Sequence, residues 1–149
     1  SLNGLLPKYP VYAKLRTSLK EYRETMSKKA LIIVDHGSKL DEANRMLAEI
    51  ARLLEDKGSA DFEHIAYCHM ELAEPTIEQA FKECAAKGAT DIIVHPYFLA
   101  PGRHSTQDIP RMVKEAAQNY PHISYSVTEP LGVHDKIIEV ILERASSSR

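Results

Sequence analysis

Between residues 29 and 144, short unbroken apolar runs alternate with longer stretches in which apolar residues recur every three or four positions. Residues 30–34 (Ala-Leu-Ile-Ile-Val) form a continuous, β-branched run, the pattern of a strand covered on both faces. Ala43, Leu47, Ile50 and Leu54 then share one helical face, and Lys57-Gly58 supplies a stop. Residues 62–68 predict a second strand. Pro75 suits the first turn of a helix carrying Ile77, Phe81, Cys84 and Ala85, closed by Lys87-Gly88. A third strand is expected over residues 91–98. Ser105 or Thr106 is placed to cap a helix with Ile109, Met112, Val113 and Ala116 inward; Pro110 falls in its first turns and Pro121 near its end. Residues 123–128 predict a fourth strand, and residues 133–144 a last helix with Ile137, Ile138, Ile141 and Leu142 inward. Upstream, Val11, Leu15, Leu19 and Tyr22 predict a helix over residues 11–25.

Strand–helix alternation four times over implies an α/β fold: a four-stranded, parallel, doubly wound sheet with helices on both faces. The expected division is a helical extension over residues 1–25, one domain over 26–145, and a frayed tail over 146–149. Met26, with Ser27-Lys28-Lys29 and the first apolar run behind it, marks where the domain begins.

Composition narrows the function classes. In 149 residues, 44% hydrophobic and 27% charged side chains describe an ordinary globular domain, not a disordered or collagen-like chain. A chain of this length buries about two-thirds of its extended surface, enough for one core. Nineteen basic against 21 acidic side chains leave a net charge of −2, and no basic patch with interleaved aromatics points to nucleic acid. No apolar run reaches the roughly 18–20 residues of a spanning helix, so no membrane partner is expected. Residues 1–10 show neither the basic start nor the apolar middle of a signal peptide. Cys68 and Cys84 are too few for a disulfide framework or a zinc cluster and read as buried, reduced thiols in a reducing compartment such as the cytoplasm.

Parallel sheets bind ligands beyond the carboxyl ends of their strands, and that is where the polar residues collect. The first strand ends in Asp35-His36-Gly37-Ser38, the second in His69-Met70-Glu71 and Glu74-Pro75, the third in Gly102-Arg103-His104, the fourth in Glu129-Pro130 and His134. Two histidines and a carboxylate, His36, His104 and Glu71, can converge there from three strand ends. Each has a plainer reading: a turn histidine, an exposed loop histidine and a solvated or helix-terminal acid. His95, inside the third strand, reads as a core or supporting histidine; His64 and His122 fall at the opposite edge. His69 and His134 lie on the right edge and either line the cleft or bind there. Lys39 and Arg103 are ordinary solvated charges unless an anionic ligand sits between their loops.

These residues carry a resemblance. Asp-His-Gly-Ser at 35–38, His-Met-Glu-Leu-Ala-Glu-Pro-Thr-Ile at 69–77, Pro-Tyr-Phe-Leu-Ala-Pro-Gly-Arg-His at 96–104, Asp108-Ile109-Pro110 and Pro-Leu-Gly-Val-His at 130–134 resemble, in order, the sirohydrochlorin chelatases. These small class II tetrapyrrole chelatases insert iron for sirohaem or cobalt for cobalamin. The resemblance spans residues 30–141. It implies a single four-stranded chelatase domain that pairs as a homodimer, acting on sirohydrochlorin and a divalent metal with no organic cofactor. It maps metal handling and catalysis onto His36, Glu71 and His104. Asp35, where many bacterial members have Gly, together with His-Met-Glu and Pro-Gly-Arg-His, resembles the plant and photosynthetic branch, which favours iron and admits the plastid stroma as an alternative compartment. The cysteine-rich, cluster-binding tail of plant members has no counterpart through Arg149, so no iron–sulfur cluster is inferred.

The residue types suit that chemistry. Insertion exchanges two pyrrole N–H protons for a divalent cation, with no redox step. Neutral imidazole serves Fe²⁺, Co²⁺ or Ni²⁺, and a carboxylate serves as ligand or proton acceptor. The roles of His36 and His104 are interchangeable at this level. Substrate carboxylates would be held by the helix N-termini after residues 38, 74 and 105 with Lys39, Arg103 and Arg111, and Ser38, Glu74 and His134 would also bind at the cleft. Glu74, directly before Pro75, is in addition placed as a cap or first-turn acid of the helix that follows. Of two rival readings, a histidine phosphatase would need Arg where Asp35 stands; a non-enzymatic metal- or tetrapyrrole-binding module would bind without turnover.

Overall fold

The computed structural model describes residues 10–57 and 60–148. Residues 1–9, Gly58 (the stop expected for the second helix), Ser59 and Arg149 lie outside them. The elements run α1 (Pro10–Met26), β1 (Lys29–Asp35), α2 (Asp41–Asp56), β2 (His64–His69), α3 (Ile77–Ala86), β3 (Asp91–Pro96), α4 (Ile109–Ala117), β4 (Ser124–Val127) and α5 (Asp135–Ser146). The four strands form one parallel sheet in the order β2-β1-β3-β4. Asp35 stands opposite His69, and Val34 opposite Pro96, so the ends of β1, β2 and β3 lie level at one edge.

Successive β1 side chains alternate between two cores. Ile33 packs with Ile65 beneath Leu47 and Ala51 of α2. Ala30, Ile32 and Val34 join Phe81 and Cys84 of α3 and Ile109 and Val113 of α4 on the other face. Both cysteines are buried free thiols. Burial pushes the Cys84 thiol up to about 12 and the Cys68 thiol higher still, so neither is a nucleophile at neutral pH. No helix of the described residues is long and apolar enough to cross a membrane.

The structure departs from the sequence expectations at element ends. β2 starts and ends later, which takes His69 out of the loop and into the strand. Pro75 lies before α3, not in its first turn: Thr76 is the N-cap, accepting from the Gln79 N–H (3.2 Å) while the Gln79 side chain accepts from the Thr76 N–H (2.8 Å), a reciprocal box that a Pro-led start would preclude. Glu74 is therefore not the cap its position suggested; its carboxylate takes the Gln79 amide at 3.3 Å. Ser105 and Thr106 do not cap α4 either. They sit inside a π-helical turn, His104–Asp108, that runs straight into α4. Pro110 has no N–H to give, and its ring crowds the carbonyl four residues back; the wider turn in front of it relieves both.

The largest departure is α5. It runs through Ser146, one residue into the expected tail, and buries no side chain; Ile137 is half-buried, and Ile138, Ile141 and Leu142, expected inward, are exposed. Periodicity reveals which face of a helix is apolar, not what meets it.

Candidate active site

Beyond the last β1 residue the backbone ladder with β2 continues. The Met70 N–H donates to Asp35 O (2.8 Å) and the Glu71 N–H to His36 O (3.0 Å). Glu71 is thus laid alongside His36, and His36 Nε2 meets Glu71 Oε1 at 2.8 Å. Gly37 makes the close approach feasible: its φ is +87°, and a Cβ there would collide with the Glu71 carbonyl oxygen. Leu72, next along, also takes a positive φ (69°), a strained state for a branched side chain at the site's margin.

His104 arrives from the third strand end through the π-helical turn. Its ring packs edge-on against His36 with centroids 5.0 Å apart. The same turn brings Asp108 beneath it, and His104 Nδ1–H donates to Asp108 Oδ2 at 2.9 Å. All three groups, His36, Glu71 and His104, are exposed over 37–55% of their side chains and open to a ligand. The structure therefore brings together the trio expected from sequence, as two linked pairs. Among the described residues no three His, Cys, Asp or Glu side chains close on one point as a metal cage would.

The hydrogen bonds separate the two histidines chemically. Asp108 accepts only, so it fixes the His104 proton on Nδ1 and leaves the Nε2 lone pair free. His36 faces acceptors at both nitrogens, Gly37 O (3.2 Å) and Glu71 Oε1 (2.8 Å). His36 and Glu71 are thus an imidazole–carboxylate pair in direct contact, placed to exchange protons with a ligand at the sheet edge.

On the other face of the same edge, Asp35 Oδ1 and His69 Nδ1 stand 2.5 Å apart. His69 is 1% exposed, and its Nε2 has no hydrogen-bond partner. A cavity of about 550 Å³ opens there between α2 and the end of β2, lined among others by Ser38, Lys39, Arg45, Tyr67 and His69. Ser38 is clamped by Asn44, which accepts from the Ser38 N–H (2.9 Å) and donates to its carbonyl (2.8 Å).

The remaining expected ligand-binding residues are spread out. Lys39 and Glu74 line this cavity, away from the trio. Arg103 is exposed at the start of the π-helical turn. His134 is the N-cap of α5, where its Nδ1 accepts from the Lys136 N–H at 3.1 Å. His95 is half-buried, donating from Nδ1 to Thr128 Oγ1 at 2.8 Å, and burial holds its pKa below the ordinary histidine value. Sequence reasoning missed the supporting roles of Asp108, Asn44 and the Asp35–His69 pair. Only Asp108 had a local signal, its position four residues after His104.

A parallel sheet with an imidazole–carboxylate pair and a carboxylate-braced imidazole at its carboxyl edge defines an α/β domain whose ligand-facing edge carries acid–base and potential metal-ligand groups. The family model described as CbiX matches residues 30–148, and the chain belongs to that family. It is 43% identical over 114 residues to the chloroplastic sirohydrochlorin ferrochelatase of Arabidopsis thaliana, covering 76% of this chain and 50% of that one. It is 33% identical to the sirohydrochlorin cobaltochelatase of Methanopyrus kandleri, covering 77% of this chain and 93% of that one. Among solved structures it is similar to the sirohydrochlorin chelatase SirB from Bacillus subtilis subspecies spizizenii in complex with cobalt. That match has a TM-score of 0.76 and 31% identity, covering 81% of this chain and 51% of that chain. The chain thus spans half the length of the plant relative and nearly all of the archaeal one.

Proposed function

We propose that this chain is a sirohydrochlorin ferrochelatase, inserting Fe²⁺ into sirohydrochlorin to form sirohaem. The observation that carries the reading is the division of labour among three strand ends. The His104 Nε2 lone pair, with Nδ1–H tied to Asp108, presents the incoming metal. His36 and Glu71, in contact at 2.8 Å, accept the two pyrrole protons one after the other as the metal enters and pass each to solvent. Glu71 is exposed enough to contact the metal in passing. The metal is a substrate here and leaves with the product.

Iron is favoured by the 43% identity to the plant ferrochelatase. Cobalt is the second reading, supported by the archaeal cobaltochelatase and the cobalt complex of the SirB relative. We place the working protein as a homodimer, since α5 shows Ile138, Val140, Ile141 and Leu142 to solvent and leaves apolar area for a second copy to cover. The buried, reduced thiols suit a reducing compartment.

The test is anaerobic incubation with sirohydrochlorin and, separately, Fe²⁺, Co²⁺ and Ni²⁺, following the visible spectrum. Insertion with all three, fastest with Fe²⁺, is the expected result. A spectrum that shows binding of the tetrapyrrole and no insertion with any metal overturns the enzyme.

A further inference from the structure

We propose that the cavity between α2 and the end of β2 is a subsite for one peripheral carboxyl group of the tetrapyrrole, read by Arg45 and Lys39 at its rim and by His69 at its floor. The proposal rests on the chelatase reading above and adds to it a specificity-determining site on the opposite face of the sheet edge.

Three observations converge there. First, a fully buried imidazole is left half-satisfied. His69 Nδ1 is engaged by Asp35 at 2.5 Å, and Nε2, the only other polar atom of the ring, has no partner although His69 lines the cavity. An unpaired buried polar atom costs about 1–3 kcal/mol, so its presence in a side chain that lines a cavity points to a ligand group. Second, the cavity's two cations are uncommitted: neither Lys39 nor Arg45 has an ion-pair partner among the described residues, whereas Arg52, two turns further along α2, is held by Glu49 and Asp56. Third, the N-terminus of the 16-residue helix α2 opens at the same cavity, with Asp41 and Asn44 of its first turn in the lining.

The ligand chemistry follows from that set. Asp41 and Glu74 also line the cavity and offset the two cations, so the lining does not suit a polyanion. A single carboxyl group fits. Ionised, it accepts from Arg45, Lys39 and a His69 Nε2–H; protonated, its O–H donates to a bare Nε2. It therefore satisfies His69 in either form of the ring. Sirohydrochlorin carries acetate and propionate arms around its rim. Side chains alternate along β1 between the two cores, so Asp35 continues the set of Ile33 that faces α2, and His36 and Gly37 stand just past the strand end. A flat macrocycle centred over His36 and His104 overhangs that edge, and one arm reaches down the α2 side past Ser38.

The experiment measures KM for sirohydrochlorin and kcat at saturating metal, anaerobically, for the wild-type chain, Arg45→Gln, Lys39→Gln and the double variant. Arg45 and Lys39 are exposed, so these changes leave the core untouched. KM for sirohydrochlorin should rise about tenfold for each single change and further for the double, the scale of one charge-assisted hydrogen bond. The loss should appear in KM and not in kcat. The same variants should bind the methyl ester of sirohydrochlorin no worse than wild type does, a pattern that a merely structural defect would not give. Unchanged KM in the double variant, with the wild type inserting metal normally, overturns the subsite and leaves the chelatase reading standing. A wild-type chain that inserts no metal overturns that reading itself.

Discussion

Glu71 and Glu74 are three residues apart, and sequence position made the second a helix cap and the first a site carboxylate. In the structure Glu71 alone reaches His36, and the cap belongs to Thr76 and Gln79. Glu71→Gln should therefore cut the insertion rate by about 10²-fold, the lower end for a lost acid–base group, with the melting temperature unchanged. Glu74→Gln should be mild in both; a variant of Glu74 more damaging to turnover than that of Glu71 would reverse the assignment. His95 makes a separate statement about pH. Burial lowers its folded pKa below the unfolded value, so the unfolded chain binds the proton first, and stability is lost as pH falls through about 6.5 toward the folded value. Thermal melts of wild type and His95→Gln at pH 7 and pH 5 check this: the variant should lose less on acidification, and an equal loss would remove His95 as a source of the pH dependence.

Among the elements, those whose apolar pattern is met by the sheet were legible in sequence: β1 is an unbroken apolar run, and Leu47, Phe81, Ile109 and Val113 are buried as their spacing indicates. What sequence did not give is where one element stops and the next group takes over. His69 enters β2 because the ladder to β1 continues through Asp35, a long-range pairing with no local signature. The Asp35–His69 bond follows from that register and was equally hidden. The trio His36, Glu71 and His104 was legible as polar residues beyond three strand ends: His36 and Glu71 stand just past β1 and β2, and His104 in the loop after β3. The divergent roles of the two histidines were not, since they depend on Asp108 and on the Gly37 carbonyl. Thr76 offers a check at this scale. Thr76→Ala removes one arm of the α3 capping box and should cost about 1 kcal/mol, with catalysis retained. A melting temperature equal to wild type would show that the box contributes nothing.

At the scale of the whole molecule, the cores lie between β1, β2, β3 and the helices α2, α3 and α4, while α5 adds no buried side chain and three of the four β4 residues are exposed. One copy thus leaves the β4 end of the sheet thinly covered, and the homodimer proposed above would cover it. Light scattering at micromolar concentration should give twice the chain mass, and Ile141→Glu should return it to one; an active wild-type monomer would contradict the pairing. On the proposed function, all of this serves one edge of the sheet, where a metal would meet a tetrapyrrole. The most direct measurement is the anaerobic rate of metal insertion into sirohydrochlorin by His104→Ala, read beside its melting curve. His104 is half-exposed and belongs to no core, so the fold should melt as wild type does while the rate drops by at least about 10²-fold. A variant that folds normally and inserts metal near the wild-type rate would show that His104 does not present the metal.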